Sequence, residues 1–312
     1  MNVGVAIATF NGKSFLEKQL GSIAGQTLPP DKVVICDDAS TDETFALAKK
    51  FIDEKNLTSS WQLHQNSMNL GYARNFYSAI DICDTDIIFL SDQDDIWHPE
   101  KIARMTAIMK DNPGINILSC SFGVIDEAGV PITGIMVKKS TNTEKITPVS
   151  TDMILKAYYW PGMTMALRKS FFNRVKIFCN ETAMAHDFVL ALFSAETGSF
   201  YTYDFVGCYH RRHNANTAKE EHRISKLLSL ARKKEDIQRY NTMLLDILKA
   251  QFPLEILNAR IIEKYKEQVE RYNCLIHRRP LALIRLYLHS NQRMRIKSFL
   301  SDFWVICFGH FN

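Results

Sequence analysis

The chain has 312 residues, 46% of them hydrophobic and 23% charged, with seven cysteines and a formal net charge of +4. These values sit near globular averages and exclude a disordered or fibrous chain, while the length suits one large α/β domain with a smaller appendage. The charge is uneven: residues 1–210 carry 18 Lys and Arg against 24 Asp and Glu, whereas residues 211–312 carry 20 against 10. A basic tail of this kind meets something anionic, either nucleic acid or a lipid surface.

Taken in chain order, residues 3–9, 32–37, 61–66, 86–91 and 117–124 are short apolar or β-branched runs and read as buried strands. Between them, residues 14–25, 44–55, 72–83 and 99–112 carry apolar side chains at helical spacing, as in Phe15, Leu16, Leu20 and Ile23. Ser40-Thr41-Asp42 leads into the second helix, and Pro99 sits near a first turn. This alternation predicts an α/β fold with a mostly parallel, doubly wound sheet flanked by helices. Ligands then bind outside the carboxyl ends of the strands, where the strand order reverses.

The middle is less regular. Residues 125–150 read as a loop or hairpin, 160–167 as a strand, 187–194 as a helix start and 207–210 as a short strand. Beyond Glu220, residues 223–250, 254–272 and 281–308 read as helices with basic faces. No run of about 18 apolar residues argues for a spanning helix. No basic leader or small-residue cleavage site precedes the first strand, so a cytoplasmic location is expected. The cysteines are scattered, without a C-x-x-C, and read as reduced, buried thiols rather than zinc ligands.

Chemistry concentrates at strand ends. The apolar run Ile87-Ile88-Phe89-Leu90 stops abruptly at Ser91-Asp92-Gln93-Asp94-Asp95. Three crowded carboxylates are costly without a cation, and oxygen ligands without clustered sulfur suit Mg²⁺ or Mn²⁺. A second strand ends in Asp37-Asp38-Ala39-Ser40-Thr41-Asp42. One of its acids can accept hydrogen bonds from a base or ribose, and Ser40 or Asp42 can equally cap the next helix. Thr9-Phe10-Asn11-Gly12 forms a turn after the first strand. Asn69-Leu70-Gly71-Tyr72-Ala73-Arg74-Asn75 opens a helix, whose N-terminus favours anions. His186-Asp187 offers either a general base or an N-cap. Tyr209-His210-Arg211-Arg212-His213-Asn214-Ala215-Asn216 is either a diphosphate clamp or the first stretch of the basic tail.

In this order the motifs resemble family 2 glycosyltransferases with the GT-A (Rossmann-like) fold, over residues 1–216. The resemblance implies an inverting, metal-dependent transferase with Asp187 as catalytic base. It implies Thr9, Asn11, Asp38, Arg74, Asp92 and Arg212 as contacts to a nucleotide-diphosphate sugar, and Asp94, Asp92 and His213 as ligands of Mg²⁺ or Mn²⁺. Ser91 to Trp97, the His-Asp pair and the Tyr209–Asn216 segment are similar to bacterial rhamnosyltransferases of O-antigen and cell-wall polysaccharide synthesis. That narrower likeness makes L-rhamnose from dTDP-rhamnose the expected donor, with a UDP-glucosyl or UDP-galactosyl donor as the alternative. A more remote alternative is a nucleic-acid-binding or non-catalytic scaffold protein, although the tail lacks a nucleic-acid-binding signature. Residues 217–312 are then a basic helical region that associates with the inner face of the cytoplasmic membrane, near a glycan or lipid-linked acceptor.

Overall fold

The structure is a computed structural model and describes residues 1–132, 141–156, 160–179, 184–213, 230–249, 255–289 and 296–308. The chain divides into two compact units, Met1–Asn216 and Thr217–Asn312.

In the first unit β1 (Val3–Thr9), β2 (Lys32–Asp37), β3 (Trp61–Gln65) and β4 (Ile87–Ser91) pair in parallel, in the order β3-β2-β1-β4. They are connected by α1 (Lys13–Ala24), α2 (Thr44–Glu54) and α3 (Tyr72–Ile82). Both faces of this half are covered, so Val5, Ile7, Ile35, Phe89 and Leu90 have no accessible surface. The order reverses between β1 and β4, which brings the ends at Thr9 and Ser91 to the switch point.

The other half of the sheet is mixed. β8 (Met165–Arg168) runs antiparallel to both β4 and β6 (Ile117–Ile125), and β6 runs parallel to β9 (Phe200–Arg211). β5 (Ile96–Trp97) and β7 (Ile146–Pro148) pair antiparallel with β9. The remaining helices of this unit are α4 (Lys101–Asp111), α5 (Thr151–Lys156), α6 (Lys169–Cys179) and α7 (His186–Glu196).

Three expectations change here. The strand expected over 160–167 is delayed, because Pro161 starts a 3-10 turn, Gly162–Thr164, in which Thr164 N–H donates to Pro161 O at 2.9 Å. The short strand at 207–210 is the end of a 12-residue strand. Its register against β6 shifts on either side of Ser121, which breaks the period-2 burial that would have revealed it. Helix α6 was not expected, although Phe171, Phe172, Val175 and Cys179 are buried at helical spacing.

The second unit is helical: α8 (Leu230–Lys249), α9 (Glu255–Ile276), α10 (Pro280–His289) and α11 (Ile296–Phe308). The single helix expected over 281–308 is two helices, and the expected helical start at 223 lies outside the described residues. Ile237, Leu275, Leu283, Val305 and Ile306 form the core. The fully buried Asp302 accepts from Lys233 Nζ and Arg271 Nε, each at 2.6 Å. Among the described residues no helix is long and apolar enough to cross a membrane.

Candidate active site

Two strand ends carry acids, and they are built differently. At the end of β2, Asp37 and Asp38 are buried and saturated with donors. Asp37 accepts from Thr9 Oγ1 (3.0 Å), Ser40 Oγ (2.6 Å), Ser40 N (3.0 Å) and Gln65 Nε2 (3.2 Å). Asp38 accepts from Asn66 Nδ2 and Leu70 N, both at 2.8 Å, and from Gly71 N at 2.9 Å. Gly71 has φ +85°, a conformation that glycine adopts without strain, and it aims this amide at Asp38 just before α3 begins. Asn11, at φ +47°, accepts from Thr41 N at 2.9 Å through its side chain. Thr9, Asn11 and Asp38 therefore spend polar groups on holding loops together. Arg74 differs: its exposed guanidinium makes no hydrogen bond or ion pair among the described residues. The cap of α2 comes from Asp42, which accepts from Thr44 N at 3.0 Å, whereas Ser40 serves Asp37.

At the end of β4 the acids are under-supplied. Asp95 is fully buried; its Oδ1 pairs with His210 Nδ1 and accepts from Arg211 N, both at 3.2 Å, while Oδ2 has no partner. Asp94 Oδ2 pairs with His213 Nε2 at 2.8 Å. The Asp92 carboxylate makes no hydrogen bond among the described residues. Burial, then the charges of Asp95 and Asp94, push Asp92 well above the carboxylate range, and Asp187 adds to this. Burial and Asp95 likewise raise Asp94, against the opposing effect of His213. For His210, burial works to lower the pKa, but the bond and charge of Asp95, with Asp92 and Asp94 behind it, raise it overall.

Asp187 belongs to the same site, since its charge acts on Asp92. It stands in the first turn of α7, with Oδ2 accepting from Gly162 N at 3.0 Å and Oδ1 from Phe188 N at 2.8 Å. The preceding His186 is buried and stacked on Phe76 at 3.9 Å, with both ring nitrogens unpartnered. Burial lowers its pKa, against the pull of Asp187. A Cβ at Gly162 would lie 2.6 Å from His186 Nε2, so this close approach requires glycine.

Sequence reading missed the framework. Gln93 clamps the β4 loop to the β1 loop, donating to Phe10 O at 2.9 Å and accepting from Phe10 N at 2.8 Å. Arg211 is fully buried and donates from Nε to Asp94 O at 2.9 Å and from Nη1 to Glu127 O at 2.8 Å. It is thus a strut of the acidic loop, while the neighbouring half-buried Arg212 follows at the β9 end, its N–H donating to Ile125 O at 2.9 Å. Lys101, also fully buried, donates to Met163 O at 2.6 Å beside the Trp97 ring. Nothing in local spacing distinguishes these side chains from surface polar residues.

Among the described residues no three His, Cys, Asp or Glu side chains converge as a complete metal cage. The donor set nonetheless fits Mg²⁺ or Mn²⁺. The Asp94–His213 pair stands beside Asp92 and the orphaned Asp95 Oδ2, and such ions take most of their remaining ligands from phosphate and water.

Residues 4–173 match the profile of glycosyl transferase family 2. The chain belongs to this family. Over 100 residues it is 37% identical to the dTDP-rhamnosyl transferase RfbG of Shigella flexneri, covering 31% of this chain and 34% of RfbG. Over 224 residues it is 25% identical to the O-antigen chain rhamnosyltransferase RfbN of Salmonella typhimurium, covering 71% of this chain and 69% of RfbN. The crystal structure of Staphylococcus aureus TarS in complex with UDP superimposes with a TM-score of 0.60 at 17% identity, covering 98% of this chain and 90% of that one. This likeness shows the fold, a mixed sheet with flanking helices of GT-A type. The chain spans about a third of the length of RfbG in the region matched.

Proposed function

We propose that this family 2 chain is an inverting glycosyltransferase that moves a sugar from a nucleoside diphosphate to an acceptor hydroxyl in polysaccharide synthesis, with a divalent cation. The observation that carries the reading is the pairing of under-supplied acids at the β4 end with Asp187 close enough to act on them. Asp94 and His213, with Asp92 beside them, are the groups that would hold the cation. When bound, it would offset negative charge on the departing diphosphate.

In this mechanism Asp187 takes the acceptor proton as the hydroxyl attacks the anomeric carbon opposite the leaving group. The Gly162 and Phe188 amides fix its carboxylate in place. One displacement inverts the centre. Thr9, Asn11 and Asp38 act mainly by shaping the nucleoside pocket, and Arg74 and Arg212 supply cationic contacts to the nucleotide. The printed activities of RfbG and RfbN favour a dTDP-rhamnose donor, and the UDP bound to TarS keeps UDP-sugars as the second choice.

The test is Asp187→Asn, assayed beside wild type with dTDP-rhamnose, UDP-glucose and UDP-galactose. Turnover should fall by about 10²–10⁴-fold while nucleotide affinity stays the same. Normal turnover by the variant would remove Asp187 from the chemistry. A thermal shift with UDP-glucose larger than that with dTDP-rhamnose would replace the donor.

A further inference from the structure

A pocket of about 250 Å³ lies between α3 and α6 and is lined by Leu70, Arg74, Tyr77, Asp81, Phe172 and Lys176 among others. Its chemistry is that of an anion site with an aromatic floor. Lys176 Nζ holds Asp81 Oδ1 at 2.7 Å, and Lys169 Nζ lies 3.9 Å from the same oxygen, so the one acid present is more than neutralised. The Arg74 guanidinium adds a cation that no described residue pairs.

The second observation is Tyr77. The residue is 4% exposed, lines this pocket, and its hydroxyl has no hydrogen-bond partner. A buried hydroxyl without a partner costs about 1–3 kcal/mol, so its retention here calls for a ligand acceptor atom. Burial raises the Tyr77 pKa far above its ordinary value, with Cys179 and Asp187 adding to the effect, so the group is a donor at any working pH. The Asp187 charge also reaches Tyr72, whose pKa rises through burial first and Asp187 second. The pocket therefore opens beside the proton-accepting carboxylate.

We infer that this pocket is a phosphate-binding subsite for the acceptor, with Tyr77 Oη donating to a phosphate oxygen and Arg74 and Lys176 balancing its charge. It rests on the transferase reading, because only that reading gives the neighbouring Asp187 an acceptor to deprotonate. A phosphate in this place belongs to the acceptor carrier, either a lipid-linked diphosphate or a phosphate-bearing glycan. The donor diphosphate is assigned to the β4 end.

The test uses the full chain and the variants Tyr77→Phe and Lys176→Ala. Tyr77→Phe deletes only the unpartnered hydroxyl, so the fold should be retained with unchanged or higher thermal stability. Inorganic pyrophosphate is titrated by calorimetry with nucleoside diphosphate already saturating. A second pyrophosphate site should appear in wild type and weaken about tenfold in each variant. In steady-state assays the KM for a phosphate-bearing acceptor should rise by a similar factor, while the donor KM and the KM for a phosphate-free sugar acceptor stay unchanged. A lipid-linked acceptor and a water-soluble phosphoglycan, assayed in parallel, identify which carrier the site prefers. Loss of donor affinity in either variant would assign the pocket to the nucleotide and overturn the inference, as would unaltered pyrophosphate binding in both. Absence of any sugar transfer by wild type would instead strike the parent reading, while the pyrophosphate titration still decides the subsite.

Discussion

The ends of β2 and β4 begin from the same sequence situation, an apolar strand running into a cluster of aspartates, and finish in opposite electrostatic states. Asp37 and Asp38 together receive seven hydrogen bonds from neighbouring backbone and side chains. Asp92 receives none among the described residues, and Asp95 leaves one buried oxygen orphaned. A carboxylate that the fold has satisfied can anchor loops but has little left to offer a ligand. A carboxylate that the fold has buried and left short of donors binds a proton or a cation instead. Density of acids along the chain therefore marks both structural and chemical positions, and the donor count separates them.

The comparison can be broken most forcefully at Asp94. Asp94→Asn should lower metal-supported turnover by about 100- to 1,000-fold while leaving the urea midpoint nearly unchanged. A large stability loss without a catalytic one would place the two strand ends in the same class. Asp38→Ala should do the reverse. It strands the donors of Asn66, Leu70 and Gly71 in a buried setting and should destabilise the fold by about 2–4 kcal/mol, read by urea unfolding.

The smallest effect concerns pH. Asp92 holds its proton well above the ordinary 3.8, so above that pH the folded chain binds more protons than the unfolded one. Metal-free stability should therefore fall as pH rises from about 4 through the raised value, by about 2–4 °C in Tm. The raised His210 works in the same direction above its ordinary 6.5. Asp92→Asn should flatten the lower part of this slope. A metal-free Tm that climbs with pH over this range would contradict the raised carboxylate.

Much of this was legible in the sequence. The first four strands and the helices between them announce themselves because strands buried on both faces read as continuous apolar runs. The acidic β4 end was legible for the same reason, since Phe89-Leu90 stops so sharply at Ser91-Asp92. What was hidden depends on contacts between distant segments. Gln93 pairing with Phe10, Arg211 reaching under Asp94, and Gly162 donating to Asp187 each join residues with no shared local pattern. The saturation of Asp38 was equally invisible, because its donors come from a loop about 30 residues away whose path is set by Gly71. Pairing of β9 was obscured by the register shifts opposite Ser121. Much of the basic tail, including Arg223 and Arg293, lies outside the described residues.

The most direct test of the central claim is a calorimetric titration of nucleoside diphosphate into the full chain, with Mn²⁺ and with chelator, for wild type and Asp94→Asn. The account predicts that wild type binds about tenfold or more tightly with the metal, and that the variant loses this gain. Equal affinity of wild type with and without metal would mean that the acids at the β4 end serve no cation.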